Sequence, residues 1–249
     1  MPVHFNRRQF LQRAGAALLT SARWRRALAQ AGRPNFLVII SDDQRADTLT
    51  PEFMPRTREL LVEQGVCFDR GYVTTPLCGP SRSSIMTGMY ARNHGVLRNP
   101  NLFLQTSYID RLHEAGYYTG LVGKFLNSWD GSPRPEFDYW VAHSGGAHRY
   151  FNPLLNVNGE WAVRPGYMTH LLRDYALQFF TQAPADRPFL LQFCPNAPHS
   201  PFDPAPGDEE LYPELPLHRP PNFNEEDVSD KPMGAQPGSL WPDANGRHR

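Results

Sequence analysis

The chain has 249 residues, 40% hydrophobic and 12% aromatic, enough to build the core of one large domain. Its 25 Lys+Arg balance 25 Asp+Glu, which excludes a broad basic surface for nucleic acid or anionic membrane. The three cysteines, Cys67, Cys78 and Cys194, are too few for a disulfide framework. Cys67 and Cys194 fall in apolar, strand-like runs and read as core residues, with a bridge between them left open.

The N-terminus reads as an address. Asn6-Arg7-Arg8-Gln9-Phe10-Leu11 resembles a twin-arginine export signal. The apolar stretch from Ala14 to Ala22 is too short to span a bilayer, and Ala27-Leu28-Ala29 offers a small-residue cleavage site. Residues 1–32 are therefore expected to be a signal segment outside the fold. The twin-arginine machinery is then a partner, and the location periplasmic or secreted.

Beyond it, Asn35 to Ile40 is a continuous apolar run ending in Ser41-Asp42-Asp43, predicted as a parallel strand buried on both faces. Met54 to Gln64 has helical spacing and Gly65 stops it. Val66 to Val73 is predicted as a second strand leading to Cys78. Pro80 suits the first turn of a helix and Gly88 its end, so Cys78 is placed at a helix N-terminus. Tyr108 to Ala115 is predicted helical, closed by Gly116, and Tyr117 to Val122 is a strand ending at Gly123-Lys124. Met168 to Phe180 is a helix, and Pro188 to Cys194 a strand running into Pro195-Asn196-Ala197-Pro198-His199. Strands alternating with helices predict an α/β fold with a mostly parallel sheet flanked by helices. Twelve of the 25 prolines lie in the last 55 residues. The stretch 232–249 has few core-forming residues and reads as a disordered or aberrant tail.

In open α/β sheets, ligands bind beyond the carboxyl ends of the strands. Four candidate groups sit at such ends: the Asp42-Asp43 pair, Cys78, Lys124 and His199. Free N–H groups and the dipole at a helix N-terminus favour an anion beside Cys78, and Arg82, one turn on, can reach back with a bidentate fork. The alternative for Cys78 is an inert core cysteine. Asp42 and Asp43 are hard oxygen donors suited to Ca²⁺ or Mg²⁺, or else a turn or cap with Gln44. The adjacent pair does not match the Asp-x-Asp of haloacid-dehalogenase phosphotransferases. Lys124 is a point charge for an oxyanion or a surface lysine. His199 is a general acid near neutral pH or a cap in a Pro-rich loop. His94, His143, His148 and His170 carry no assignment.

The run Cys78-Gly79-Pro80-Ser81-Arg82 followed by Thr87-Gly88 resembles the sulfatase signature, C-x-P-S-R leading to T-G. The resemblance implies an alkaline-phosphatase-like sulfatase fold. It also implies that Cys78 becomes formylglycine through a formylglycine-generating enzyme. A divalent metal, Ca²⁺ by preference, would be held by Asp42, Asp43 and residue 78. Hydrolysis of a sulfated small molecule or glycan would use Arg82, Lys124 and His199. Gly123-Lys124-Phe125-Leu126-Asn127 and Ala197-Pro198-His199-Ser200-Pro201 are similar to the branch that removes 6-O-sulfate from glucosamine units. That resemblance makes Asn127 a substrate-binding residue where many sulfatases have a histidine. It covers residues 33–231, including Phe223 to Pro232. The family's later Asp-Asn pair and lysine have no counterpart after His199, since Asp243-Ala244-Asn245 does not match. The expectation is the N-terminal part of a sulfatase catalytic domain, crippled by the missing ligands. The alternatives are a related phosphodiester or phosphonate hydrolase, or a non-catalytic remnant.

Overall fold

A computed structural model describes residues 32–103, 105–145, 149–215, 227 and 229. The expected signal segment and the tail lie outside the described residues. The chain divides into two compact units, one through Ala205 and one from Pro206 onward. The second consists, where described, of short turns such as the one closed by Leu211 N–H on the Asp208 carbonyl.

The first unit is built on six strands: β1 (Phe36–Ile39), β2 (Tyr118–Gly123), β3 (Tyr139–Ala142), β4 (Leu154–Val157), β5 (Glu160–Val163) and β6 (Phe189–Cys194). They run in the order β1-β6-β2-β3-β4-β5. The first four of that order are parallel, while β4 and β5 form an antiparallel hairpin. The main helices are α1 (Cys78–Thr87), α2 (Ala91–His94), α3 (Tyr108–Glu114) and α4 (Met168–Gln182).

The two faces of the sheet follow the period of two along each strand. Leu121, Trp140, Leu190 and Cys194 point to one side, where Met86 of α1 and Ile109 of α3 join them. Val122, Tyr139, Val141 and Leu191 point to the other, covered by Met168, Leu172, Ala176 and Phe179 of α4. Those α4 positions recur at helical spacing and form one stripe. Ser107 caps α3, accepting from Ile109 and Asp110 N–H groups while Asp110 reaches back to the Ser107 N–H.

Four expectations need correction. Asn35 to Ile40 was expected to be covered on both faces, but β1 pairs only with β6, and Phe36, Leu37 and Ile39 are 39–52% exposed. Val66 to Val73 forms no strand. Val66, Phe68, Tyr72 and Val73 are exposed, and so is Cys67, which is not a core residue. Apolar, β-branched composition supports a strand only where a neighbouring strand can pair with it. The helix expected over Met54 to Gln64 is reduced to Pro55–Thr57 and a π turn at Arg58–Val62, with no buried residue. All three cysteines are free thiols, so no Cys67–Cys194 bridge forms.

Gly123 closes β2 at the point where the chain turns into the site. Its φ is +110°, and a Cβ there would lie 2.0 Å from the Cys194 carbonyl oxygen. The same carbonyl accepts the Lys124 N–H at 2.8 Å. Gly123→Ala is expected to cost at least about 3 kcal/mol through backbone strain and overpacking. Urea denaturation of the variant beside the parent protein measures it.

A second buried device locks α1 to α2. Ser84 Oγ lies 3.0 Å from His94 Nε2 and accepts from Thr74 Oγ1 at 2.8 Å. The Val96 N–H donates to His94 Nδ1 at 3.1 Å, which assigns the ring proton to Nε2. Burial holds the His94 pKa below its ordinary range. A depressed folded pKa contributes stability above the unfolded value, and that stability is lost as pH falls. The melting temperature is therefore expected to drop as pH falls below the ordinary histidine value of about 6.5, and His94→Gln should flatten that dependence.

Candidate active site

The carboxyl ends of β1, β6 and β2 meet the N-terminus of α1. Asp42 leaves β1 with its N–H on the Ala197 carbonyl at 3.2 Å, which ties it to the loop after β6. Its Oδ2 accepts from Lys124 Nζ at 2.6 Å in an ion pair whose side chains are 7% and 0% exposed. Its Oδ1 lies 3.8 Å from Cys78 Sγ, within hydrogen-bond range of a thiol. Asp43, at φ 58°, holds a side chain that is 59% exposed. Asp43 Oδ2 is 3.4 Å from His199 Nε2.

Cys78 is the first residue of α1 and half-buried. Burial raises its thiol pKa above the ordinary range. The charge of Lys124 opposes that shift, and Asp42 and Asp43 reinforce it. The next N–H in the helix, that of Gly79, is taken by the Asn99 side chain at 2.9 Å. Arg82 is buried, and its fork is engaged by backbone: Nε donates to the Phe125 carbonyl and Nη2 to the Lys124 carbonyl. It therefore fastens α1 to the segment that carries Lys124.

His199 is held from three directions. Its N–H donates to the Asn196 carbonyl at 2.9 Å, its carbonyl accepts from Tyr150 Oη at 2.7 Å, and Nδ1 lies 2.9 Å from the Ser200 carbonyl. Asn127, after β2, has a buried Oδ1 with no hydrogen-bond partner among the described residues. A cavity of about 500 Å³ opens before Cys78, lined by Ser41, Asp42, Asp43, Gln44 and Arg82 among others.

Asp42, Asp43, Cys78, Lys124 and His199 thus come together from segments up to 157 residues apart in sequence. Sequence reasoning passed over Tyr150 and Asn196. Tyr150 is buried with its pKa pushed up to about 12, chiefly by burial, so it stays a donor. Asn196 is 1% exposed with both side-chain polar atoms unpartnered among the described residues. No local motif marks either one. Of the unassigned histidines, His94 belongs to the α1–α2 lock, His143 is buried after β3, and His170 packs edge-on against Tyr167. His148 lies outside the described residues.

The donors present suit a hard divalent cation in kind. Asp42 Oδ1 and the Asp43 carboxylate both act on Cys78, and carboxylate oxygen is the preferred ligand of Ca²⁺ and Mg²⁺.

Comparison with known proteins fits this geometry. Human N-acetylglucosamine-6-sulfatase is 31% identical over 224 residues, covering 77% of this chain and 39% of that protein. The extracellular sulfatase SULF-1 homolog of Drosophila melanogaster is 33% identical over 225 residues, 82% of this chain and 20% of that protein. A solved structure, BT4656 in complex with its substrate D-glucosamine-2-N, 6-O-disulfate, superposes with a TM-score of 0.67 at 29% identity, over 76% of this chain and 40% of that one. The chain spans between a fifth and two fifths of the length of these relatives. The family model for sulfatases matches residues 34–227, most of the sequence and every group of the site, and the chain belongs to the sulfatase family.

Proposed function

We propose that the site hydrolyses a sulfate ester, with a 6-O-sulfated glucosamine unit of a glycan as substrate. The observation that carries this is the convergence of Asp42, Asp43, Cys78, Lys124 and His199 at one mouth of the sheet. Support for the substrate comes from two N-acetylglucosamine-6-sulfatase relatives and a sulfated glucosamine in the neighbouring structure.

Residue 78, as formylglycine, would supply the group that attacks sulfur. A Ca²⁺-class cation, when bound by Asp42, Asp43 and residue 78, supplies positive charge beside the sulfonyl oxygens. The remaining work belongs to the chain's own residues. Lys124 Nζ has three donors; one goes to Asp42, and the ammonium would stabilise the charge that builds on sulfonyl oxygen. Arg82 keeps that segment in place through its bonds to the Lys124 and Phe125 carbonyls. His199 would give a proton to the leaving ester oxygen from Nε2, which stands 3.4 Å from Asp43 Oδ2. Asn127 Oδ1, buried and unpartnered, is an acceptor for a substrate hydroxyl or amide.

The test is turnover by protein co-produced with a formylglycine-generating enzyme and supplied with Ca²⁺. N-acetylglucosamine 6-sulfate should be hydrolysed in preference to the corresponding 6-phosphate. A preference for the phosphate ester would overturn the reading in favour of a phosphoester hydrolase. Export by the twin-arginine route is part of the same proposal. Arg7→Lys with Arg8→Lys should leave the protein in the cytoplasm.

A further inference from the structure

Three donor atoms of different chemistry meet at the mouth of the site. An Asp43 carboxylate oxygen, Cys78 Sγ and a His199 ring nitrogen all lie within 4.8 Å of one another. They come from three separate segments: the end of β1, the start of α1 and the loop after β6. The telling detail is the state of His199. Its Nδ1 is 2.9 Å from the Ser200 carbonyl oxygen, which can only accept, so the ring proton is assigned to Nδ1. In the neutral ring with that proton on Nδ1, Nε2 carries a lone pair, and the atom facing it at 3.4 Å is Asp43 Oδ2, a second acceptor. Two acceptors so placed call for a proton or a cation between them.

We propose that, while residue 78 is still a thiol, the protein binds a zinc-class ion through Cys78 Sγ, His199 Nε2 and the Asp43 carboxylate. Thiolate and imidazole together select Zn²⁺ or Co²⁺ over Ca²⁺, which takes oxygen. A ligating histidine characteristically donates its other N–H to a carbonyl, as His199 does to Ser200. In a tetrahedral zinc site the ligand atoms stand roughly 3.3–3.7 Å apart, so the sulfur must approach by about 1 Å. The Asp43 side chain is 59% exposed and has room to follow. On binding, the Cys78 S–H bond breaks, its proton goes to solvent and a sulfur–metal bond forms. Burial and the Asp42 and Asp43 charges raise the thiol pKa, so the metal itself must displace the proton, with the Lys124 charge helping. Three protein ligands leave a fourth position for water. The result is a metal-capped thiol, shielded from oxidants and alkylating agents. It is an alternative fate of residue 78 that disappears once the sulfur is replaced by an aldehyde.

The test uses the 249-residue chain produced without a formylglycine-generating enzyme. Co²⁺ titration should give a sulfur-to-cobalt charge-transfer band in the near ultraviolet that Zn²⁺ displaces. Cys78→Ser should abolish the band and Cys67→Ser should keep it. His199→Gln and Asp43→Asn should each weaken Co²⁺ binding at least about tenfold. A band that survives in Cys78→Ser, or unchanged affinity in both other variants, overturns the proposal. The parent protein gives a second readout that needs no variant. Zn²⁺ should slow iodoacetamide alkylation of Cys78, followed peptide by peptide by mass spectrometry, and leave Cys67 unaffected. Equal Cys78 rates with and without Zn²⁺ overturn it as well. None of these outcomes bears on sulfate ester hydrolysis, which is measured on the aldehyde form.

Discussion

Cys78→Ala should reduce sulfate release from N-acetylglucosamine 6-sulfate at least ~10³-fold, to the level of the uncatalysed background. Under the proposed function the change removes the carbon–sulfur group from which the aldehyde would be made, so no attacking hydroxyl could form at the mouth of the cavity. The surrounding charges remain but then have nothing to assist. Stability should hardly change, since Cys78 is half-buried and its sulfur makes only a long contact to Asp42 Oδ1 at 3.8 Å. Loss of turnover with an unchanged denaturation midpoint separates a chemical role from a structural one. Cys67→Ala is the control: Cys67 is exposed, so the change should stay within about 0.5 kcal/mol in stability and leave turnover intact. Before kinetics, the tryptic peptide holding residue 78 should show the aldehyde by mass spectrometry. An unmodified thiol after co-production with the modifying enzyme, or turnover surviving in Cys78→Ala, would sink the assignment.

Two central strands and the ends of the Cys78 helix were the legible part of this fold, while β3, central and buried, was passed over. β2 and β6 are short apolar runs buried on both faces, and such runs speak for themselves. The Cys78 helix was legible through Pro80 near its start and Gly88, at φ 70°, closing it on the Ser84 carbonyl. The β4–β5 hairpin was legible too but was passed over. Asn158-Gly159 sits between the strands with φ of 51° and 101°, the positive angles that a two-residue hairpin turn demands. Val66 to Val73 misled for the opposite reason. Its residue types suit a strand, yet pairing decides, and no neighbour supplies it among the described residues. In the candidate site, Asp42, Asp43, Lys124 and His199 could be named from their places after strands and Cys78 from its place at a helix start, but their partners could not. Arg82 was expected to face an anion; instead its Nε and Nη2 hold the carbonyls of Phe125 and Lys124, more than 40 residues away in sequence. Tyr150 acts through a long-range hydrogen bond and Asn196 is marked only by its burial, for which a linear sequence carries no signal.

Lys124→Met is expected to destabilise the protein by about 3–5 kcal/mol, because it leaves the Asp42 carboxylate buried without its counter-ion. The pair is 82 residues apart in sequence and 2.6 Å apart in space, with the lysine fully enclosed. Water cannot replace the ammonium there without opening the end of the sheet. Against a typical domain stability of about 5–15 kcal/mol, the loss is large enough to shift the urea midpoint severely or to unfold the protein at body temperature. Asp42→Leu alone should do comparable damage by stranding the lysine. The double variant, Asp42→Leu with Lys124→Met, removes both charges and should recover most of the stability, since a well-packed apolar pair can match a buried ion pair. Activity should follow a different course. Under the proposed function neither the singles nor the double should turn over sulfate ester, because that proposal makes Lys124 the cation beside the sulfonyl oxygens and Asp42 a ligand of the metal. Stability that returns while catalysis does not is the signature of a pair that serves both fold and chemistry. A cost below about 1 kcal/mol for Lys124→Met, the range of exposed ion pairs, would mean that solvent reaches the pair and that Lys124 does not organise the site.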